Sequence, residues 1–263
     1  MGALAYEDVG QGDLPVVLLH GFLCSRRMWR DQIAAVSREH RTISLDFPAH
    51  GRSRFALESE IYTEDKLADL TVELLSTLNI DRAILVGFSM GGGVALNAAI
   101  RHPSAVGGLF LADVGGGSAD PPQHRTSMQN LVDLLSQEGL DALVDHMLLT
   151  PTFSDLANRS PQERARMRDI MLESDADALE LLISGVLSGR PPTQDRDLES
   201  VRVPTAVLVG ELDNPCLTSS SDLARRIPEA EHTILVGAGH MTPMEAPSQF
   251  NEALLSFLKS VSG

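Results

Sequence analysis

The chain has 263 residues, 43% of them hydrophobic, enough to bury a substantial core. Its 21 lysines and arginines face 36 aspartates and glutamates, and a net charge of −15 repels nucleic acid and anionic membrane. Two cysteines are no disulfide framework, no apolar run is long enough to span a bilayer, and no basic-then-apolar leader opens the chain; free thiols and a cytoplasmic location are expected.

In chain order, a short strand around Ala3–Asp8 is expected on an antiparallel edge. Pro15-Val16-Val17-Leu18-Leu19 reads as a buried strand and runs into the loop His20-Gly21-Phe22. A helix is expected over Arg26–Arg38, and then a strand, Arg41–Leu45, running into Asp46-Phe47-Pro48-Ala49-His50-Gly51-Arg52-Ser53. A helix follows over Thr63–Leu78. The apolar run Ala83-Ile84-Leu85-Val86 then meets Gly87-Phe88-Ser89-Met90-Gly91, and helical periodicity resumes over Met90–Arg101. Val106–Ala112 is another strand. Apolar runs alternating with helical patterns indicate a parallel sheet covered on both faces, an α/β fold.

The alternation stops after Asp113. Val114-Gly115-Gly116-Gly117-Ser118 is a flexible exit, and Pro122–Leu187 carries helical periodicity without a strand. Gly189-Arg190-Pro191-Pro192 ends that stretch, and the sheet pattern resumes at Val203. The chain therefore divides into a core of residues 1–118 and 193–263 and a helical insertion of residues 119–192 over the active edge. The strand Pro204–Val209 leads into Gly210-Glu211-Leu212-Asp213, and a helix is expected over Ser219–Arg226. Thr233–Val236 leads into Gly237-Ala238-Gly239-His240, and Ser248–Val261 closes the chain as a helix.

Strand, sharp turn and helix around Ser89 are the context of a nucleophile elbow, where glycines two before and two after the serine avoid Cβ clashes. A serine alcohol is a poor nucleophile without a base in hydrogen-bond reach. His240 is the candidate base, because imidazole titrates near neutral pH and can take and return a proton. Asp213 is the candidate carboxylate that fixes its tautomer, with Asp113, after the Val106–Ala112 strand, as rival. The backbone N–H groups of Phe22 and Met90 are candidates for an oxyanion hole. Metal hydrolysis is not expected: there is no H-x-E-x-x-H, no His-x-His and no cysteine cluster, nor any sign of a cofactor.

The motifs of residues 20–22, 46–53, 87–92, 210–213 and 237–240, in the order Ser89, Asp213, His240, resemble those of α/β-hydrolases with a cap domain. The resemblance runs from about Ala5 to the C-terminus. It is nearest to the branch of small esterases, enol-lactonases and cofactor-free perhydrolases, and it implies a serine hydrolase acting on a carboxylic ester or lactone. It also implies that Asp213, not Asp113, is the acid and that His20 and His50 support loops. Carbon–carbon bond hydrolases of this fold typically carry Asn before the nucleophile, where this chain has Phe88. A carbon–carbon hydrolase or perhydrolase with the same triad is the enzymatic alternative, and a ligand receptor on this fold the non-enzymatic one. Leu23, Met147, Phe153, Met171 and Met241 are expected to line an apolar pocket for a small apolar ester or lactone. Assembly into a homo-oligomer is left open.

Overall fold

In the computed structural model, which describes residues 2–115, 121–189, 191 and 195–262, the apolar runs pair into one seven-stranded sheet. Its strands are β1 (Ala5–Val9), β2 (Val16–Leu19), β3 (Thr42–Asp46), β4 (Ala83–Phe88), β5 (Val106–Ala112), β6 (Thr205–Gly210) and β7 (Glu231–Leu235). They lie in the order β1-β3-β2-β4-β5-β6-β7. Only β1 is antiparallel to its neighbour. The five inner strands are buried along their whole length, as a sheet covered on both faces requires. The two edge strands, β1 and β7, carry the exposed residues, which is why their ends were the least legible in sequence.

Helices α1 (Arg30–Val36), α2 (Glu64–Thr77) and α3 (Met90–Arg101) make the connections from β2 to β5. The helix expected over Arg26–Arg38 is shorter and in two parts: a 3₁₀ turn, Arg26–Trp29, capped by the Ser25 hydroxyl, and then α1. Parallel pairing places Leu19 beside Leu45 and Gly87, and Phe88 beside Ala112. The loops that follow β2, β3, β4 and β5 therefore emerge along one edge of the sheet, where ligands of open α/β sheets bind.

The insertion between β5 and β6 is an inserted helical cap. It comprises α4 (Pro121–Met147), α5 (Pro151–Ala157), α6 (Pro161–Met171), α7 (Ala176–Leu182) and a π-helical turn, Ile183–Leu187. The first helix is broken at Gly139, whose φ of 84° only glycine adopts readily. The expected boundaries at 118/119 and 192/193 lie outside the described residues. The cap has its own core, with Leu143, Leu148, Leu156, Met167, Ile170, Leu179 and Leu182 buried. It is tied to the sheet domain by the Asp175 amide donating to the Ala49 carbonyl at 2.9 Å and by the Arg27–Glu173 ion pair at 2.6 Å. Gly185 packs so closely on Tyr62 that a methyl group there would overlap the Tyr62 carbonyl.

After β6 comes α8 (Asn214–Arg226), which begins five residues before the expected start because Pro215 sits in its first turn, where a missing N–H costs nothing. The short α9 (Thr242–Glu245) has no periodicity to announce it, and α10 (Pro247–Ser262) packs Phe250 and Phe257 against Phe110 of β5. No helix among the described residues is long and apolar enough to cross a membrane.

Candidate active site

Ser89 lies between β4 and α3 at φ 51° and ψ −112°, outside the regions a side chain prefers. The turn is crowded on both sides. A Cβ on Gly87 would stand 2.5 Å from the Gly91 carbonyl oxygen, and one on Gly91 would collide with the Leu19 carbonyl. The Ser89 amide is tied to the Ala112 carbonyl at 2.9 Å, so the neighbouring strand holds the turn in place.

His240 reaches this turn from the loop after β7. Its Nε2 stands 3.1 Å from Ser89 Oγ, and its Nδ1 stands 2.8 Å from Asp213 Oδ2. A carboxylate accepts only, so Nδ1 carries the proton and Nε2 presents its lone pair to the serine. Asp213 is buried, and the ring of His240 leans on Phe88 with centroids 5.2 Å apart. The two loops are in contact: a Cβ on Gly210 would lie 2.5 Å from the Ala238 carbonyl oxygen. That contact explains the glycine that opens Gly210-Glu211-Leu212-Asp213.

Asp113, the rival acid, does not face His240. One of its oxygens accepts from the Gly210 amide at 2.9 Å, and the other accepts from the Thr242 hydroxyl. Burial pushes its carboxyl well above the ordinary carboxylate range, the Thr242 and Gly210 hydrogen bonds oppose that, and the nearby Asp213 charge adds to it. It braces β6 and the histidine loop against the end of β5.

His20 and His50 are likewise engaged in hydrogen bonds with loop backbone groups. His20 Nε2 accepts from the Phe47 amide at 2.9 Å, so its Nδ1 donates to the Gly21 carbonyl at 2.7 Å. His50 Nε2 accepts from the Leu23 amide at 3.1 Å and its Nδ1 donates to the Pro48 carbonyl at 3.0 Å. Burial lowers their pKa values to about 4 and about 3, so both stay neutral while they pin the two loops together. Asp46 accepts from the amides of Arg26 and Arg52 at 2.7 and 2.9 Å, and Gly51 is needed because a Cβ there would strike that carboxylate.

Two residues of the site carried no sequence signal as such. Glu245 accepts from the amides of Gly239 and Met241 at 2.8 and 2.9 Å, so it clamps both sides of His240. Arg159 of the cap pairs with Glu245 at 3.1 Å and links the cap to the histidine loop. Neither spacing nor period places a carboxylate beneath a loop that it follows.

The amides expected to form an oxyanion hole are those of Met90 and Phe22. Met90 is the first residue of α3, so its N–H has no intrahelical acceptor. The Phe22 amide has no protein acceptor among the described residues. Its loop lies on the serine: a Cβ on Gly21 would be 3.3 Å from Ser89 Cβ.

Ser89 and His240 open on a cavity of about 290 Å³. Its walls are mostly apolar: Phe22, Phe88, Met128, Leu131, Met147, Phe153 and Leu187, with Cys216 and Pro215 from the start of α8. Of the residues proposed for a pocket, Met147 and Phe153 are among its lining. Leu23, Met171 and Met241 are not; all three are fully buried elsewhere. Leu23 has φ 54° and turns into the sheet core, Met171 ends α6 inside the cap core, and Met241 is held under the Glu245 clamp. His124 also lines the cavity, with Nε2 at 2.9 Å from the Leu187 carbonyl, joining the two ends of the cap.

One further grouping was not visible in the spacing. Asp213, Cys216 and His240 each offer a ligand atom within 4.8 Å of the others. Neither cysteine forms a disulfide; Cys24 is buried and its thiol is pushed up to about 12 by that burial.

A family model described as the alpha/beta hydrolase family matches residues 16–253. The dihydrolipoyllysine-residue acetyltransferase component of the acetoin cleaving system of Pseudomonas putida is 35% identical over 97% of this chain, which spans 66% of that relative's length. Among solved structures, a thermophilic esterase from Thermogutta terrifontis superposes with a TM-score of 0.88 at 29% identity, covering 98% of this chain and 93% of that one. The enol-lactonase from Burkholderia xenovorans LB400 does so with a TM-score of 0.86 at 26% identity, covering 97% and 96%. With the elbow, the sheet order and the cap in place, the chain belongs to the alpha/beta hydrolase family.

Proposed function

We propose that the protein hydrolyses a small, apolar carboxylic ester or lactone through an acyl-enzyme on Ser89. The observation that carries this reading is the hydrogen-bonded series Ser89–His240–Asp213 at 3.1 and 2.8 Å, opening on an apolar cavity. Ser89 Oγ attacks the carbonyl carbon while His240 Nε2 takes its proton, and Asp213 stabilises the imidazolium. The amides of Phe22 and Met90 hold the oxyanion. When the tetrahedral species collapses, His240 returns the proton to the leaving alkoxide. Water then attacks the acyl carbon while His240 takes its proton, and as the acyl–Oγ bond breaks His240 returns that proton to Ser89 Oγ and the acid leaves.

The cavity of about 290 Å³ lies just below the usual ligand-pocket range of roughly 300–1,000 Å³, which favours a small acyl group. An esterase and an enol-lactonase among the solved relatives support the same class. A cytoplasmic setting is part of this reading, supported by two cysteines outside any disulfide.

The test is rapid mixing with p-nitrophenyl acetate. A burst of one equivalent of p-nitrophenol followed by steady turnover is expected, with the acetyl group on the Ser89 peptide by mass spectrometry. Slow release without a burst, and no acetyl group on Ser89, would overturn the assignment and favour a ligand receptor.

A further inference from the structure

We propose that Asp213, Cys216 and His240 form an inhibitory site for a soft divalent metal such as Zn²⁺. Asp213 and Cys216 stand one helical turn apart at the start of α8, and His240 comes from the loop after β7. Cys216 Sγ lies 3.7 Å from His240 Nδ1, Asp213 Oδ2 lies 2.8 Å from the same nitrogen, and all three residues are buried. Tetrahedral zinc, with bonds of about 2.3 Å to sulfur and about 2.0–2.2 Å to nitrogen and oxygen, needs ligand–ligand edges of roughly 3.3–3.6 Å. The sulfur–nitrogen edge is close to that already, and the nitrogen–oxygen edge must open by about half an ångström.

A route for the ion exists. A second cavity, of about 450 Å³, is lined by Asp213, Cys216 and His240, does not include Ser89, and is bordered by Asp155, an exposed carboxylate. The net charge of −15 draws cations to the surface. Thiolate, imidazole and carboxylate together favour Zn²⁺ over Mg²⁺ or Ca²⁺, which prefer oxygen alone. The charges also balance: one thiolate and one carboxylate offset the two charges of the ion, so no net charge is buried.

Binding has a definite chemical cost to the reaction. The Cys216 thiol gives up one proton to solvent. A metal on His240 Nδ1 takes the lone pair left when that nitrogen loses its proton, and a neutral imidazole must then hold its proton on Nε2. Nε2 then donates toward Ser89 Oγ and accepts nothing from it. Inhibition thus rests on the proposed catalytic roles of Ser89 and His240, whereas metal binding does not.

The experiment is a titration of metal-free protein with Co²⁺, which stands in for Zn²⁺ and reports thiolate ligation as a charge-transfer band in the near ultraviolet. One equivalent should develop the band in the wild type, Zn²⁺ should displace it, and Cys216→Ser and Cys216→Ala should lack it. Since this reading needs no substrate, it tests the site even if the protein hydrolyses no ester. In parallel, Zn²⁺ should suppress p-nitrophenyl acetate hydrolysis reversibly to EDTA, and Mg²⁺ should not. In both variants, each measured against its own metal-free rate, the half-inhibiting Zn²⁺ concentration should rise by about tenfold or more. No band in the wild type, an equal band in both variants, or full activity with one equivalent bound would overturn the proposal.

Discussion

Ser89 holds φ 51° and ψ −112° because two strands and a helix leave its turn no other path. Such a conformation costs on the order of 1–3 kcal/mol and is retained where the surroundings over-determine it. Ser89→Ala removes the hydroxyl and keeps the Cβ, so kcat should fall by about 10³-fold or more while the thermal midpoint stays put. Ser89→Gly should lose activity equally but melt higher, since only glycine adopts that backbone freely. Wild-type turnover in either variant would remove Ser89 from the reaction. The two aspartates should separate just as clearly. Asp213→Asn puts an amide against Nδ1 and favours the wrong tautomer of His240, so kcat should fall by about 10⁴-fold. Asp113→Asn should leave kcat nearly unchanged. Its folded-state pKa is raised, so ionising it opposes folding increasingly as pH rises above the unfolded carboxylate value. The melting difference between Asp113→Asn and wild type should therefore grow in favour of the variant from pH 5 to pH 8; a difference that is flat with pH would contradict this.

At the scale of elements, the cap divides its methionines and aromatics between two duties. Met147 and Phe153 face the cavity beside Ser89, whereas Met171 is buried in the cap core. Met147→Ala and Phe153→Ala should shift the ratio of kcat/KM between short and long p-nitrophenyl esters by about ten- to two-hundredfold, not a thousandfold, because a methylene of contact discriminates by only ~1–3 kcal/mol. Met171→Ala should leave that ratio alone and lower stability by about 2–5 kcal/mol, the usual cost of a buried cavity. A changed ratio in Met171→Ala, or none in the other two, would mean that the cap faces the sheet differently.

For the whole molecule, the two buried histidines set an acid limit. His20 and His50 have folded pKa values near 4 and 3 against about 6.5 unfolded, so the unfolded chain binds protons that the folded chain refuses. Their contribution is complete above about pH 6.5 and is lost as pH falls from there toward 4 and 3. The slope approaches about 1.4 kcal/mol per pH unit for each histidine. Denaturant midpoints measured at pH 7 and pH 5 should show this fall. It should shrink in His50→Asn, compared with itself at the two pH values. Equal midpoints at both pH values in the wild type would show that these imidazoles take up protons in the folded state.

Residue order and local chemistry were enough to determine the strands of the inner sheet, the elbow and the loops ending in Asp213 and His240. These features depend on short-range rules: a buried parallel strand must be apolar throughout, and a tight turn must carry glycine where a Cβ would clash. Packing decided everything that joins segments far apart in the chain. It turned Asp113 toward Gly210 and Thr242, set Glu245 beneath the histidine loop, buried Leu23, Met171 and Met241 away from the cavity, and brought Cys216 beside His240. Each of those outcomes depends on which way a side chain points between two elements. Neither the 3.6-residue nor the two-residue period carries that information, because a period names a face and the tertiary structure alone supplies what the face meets.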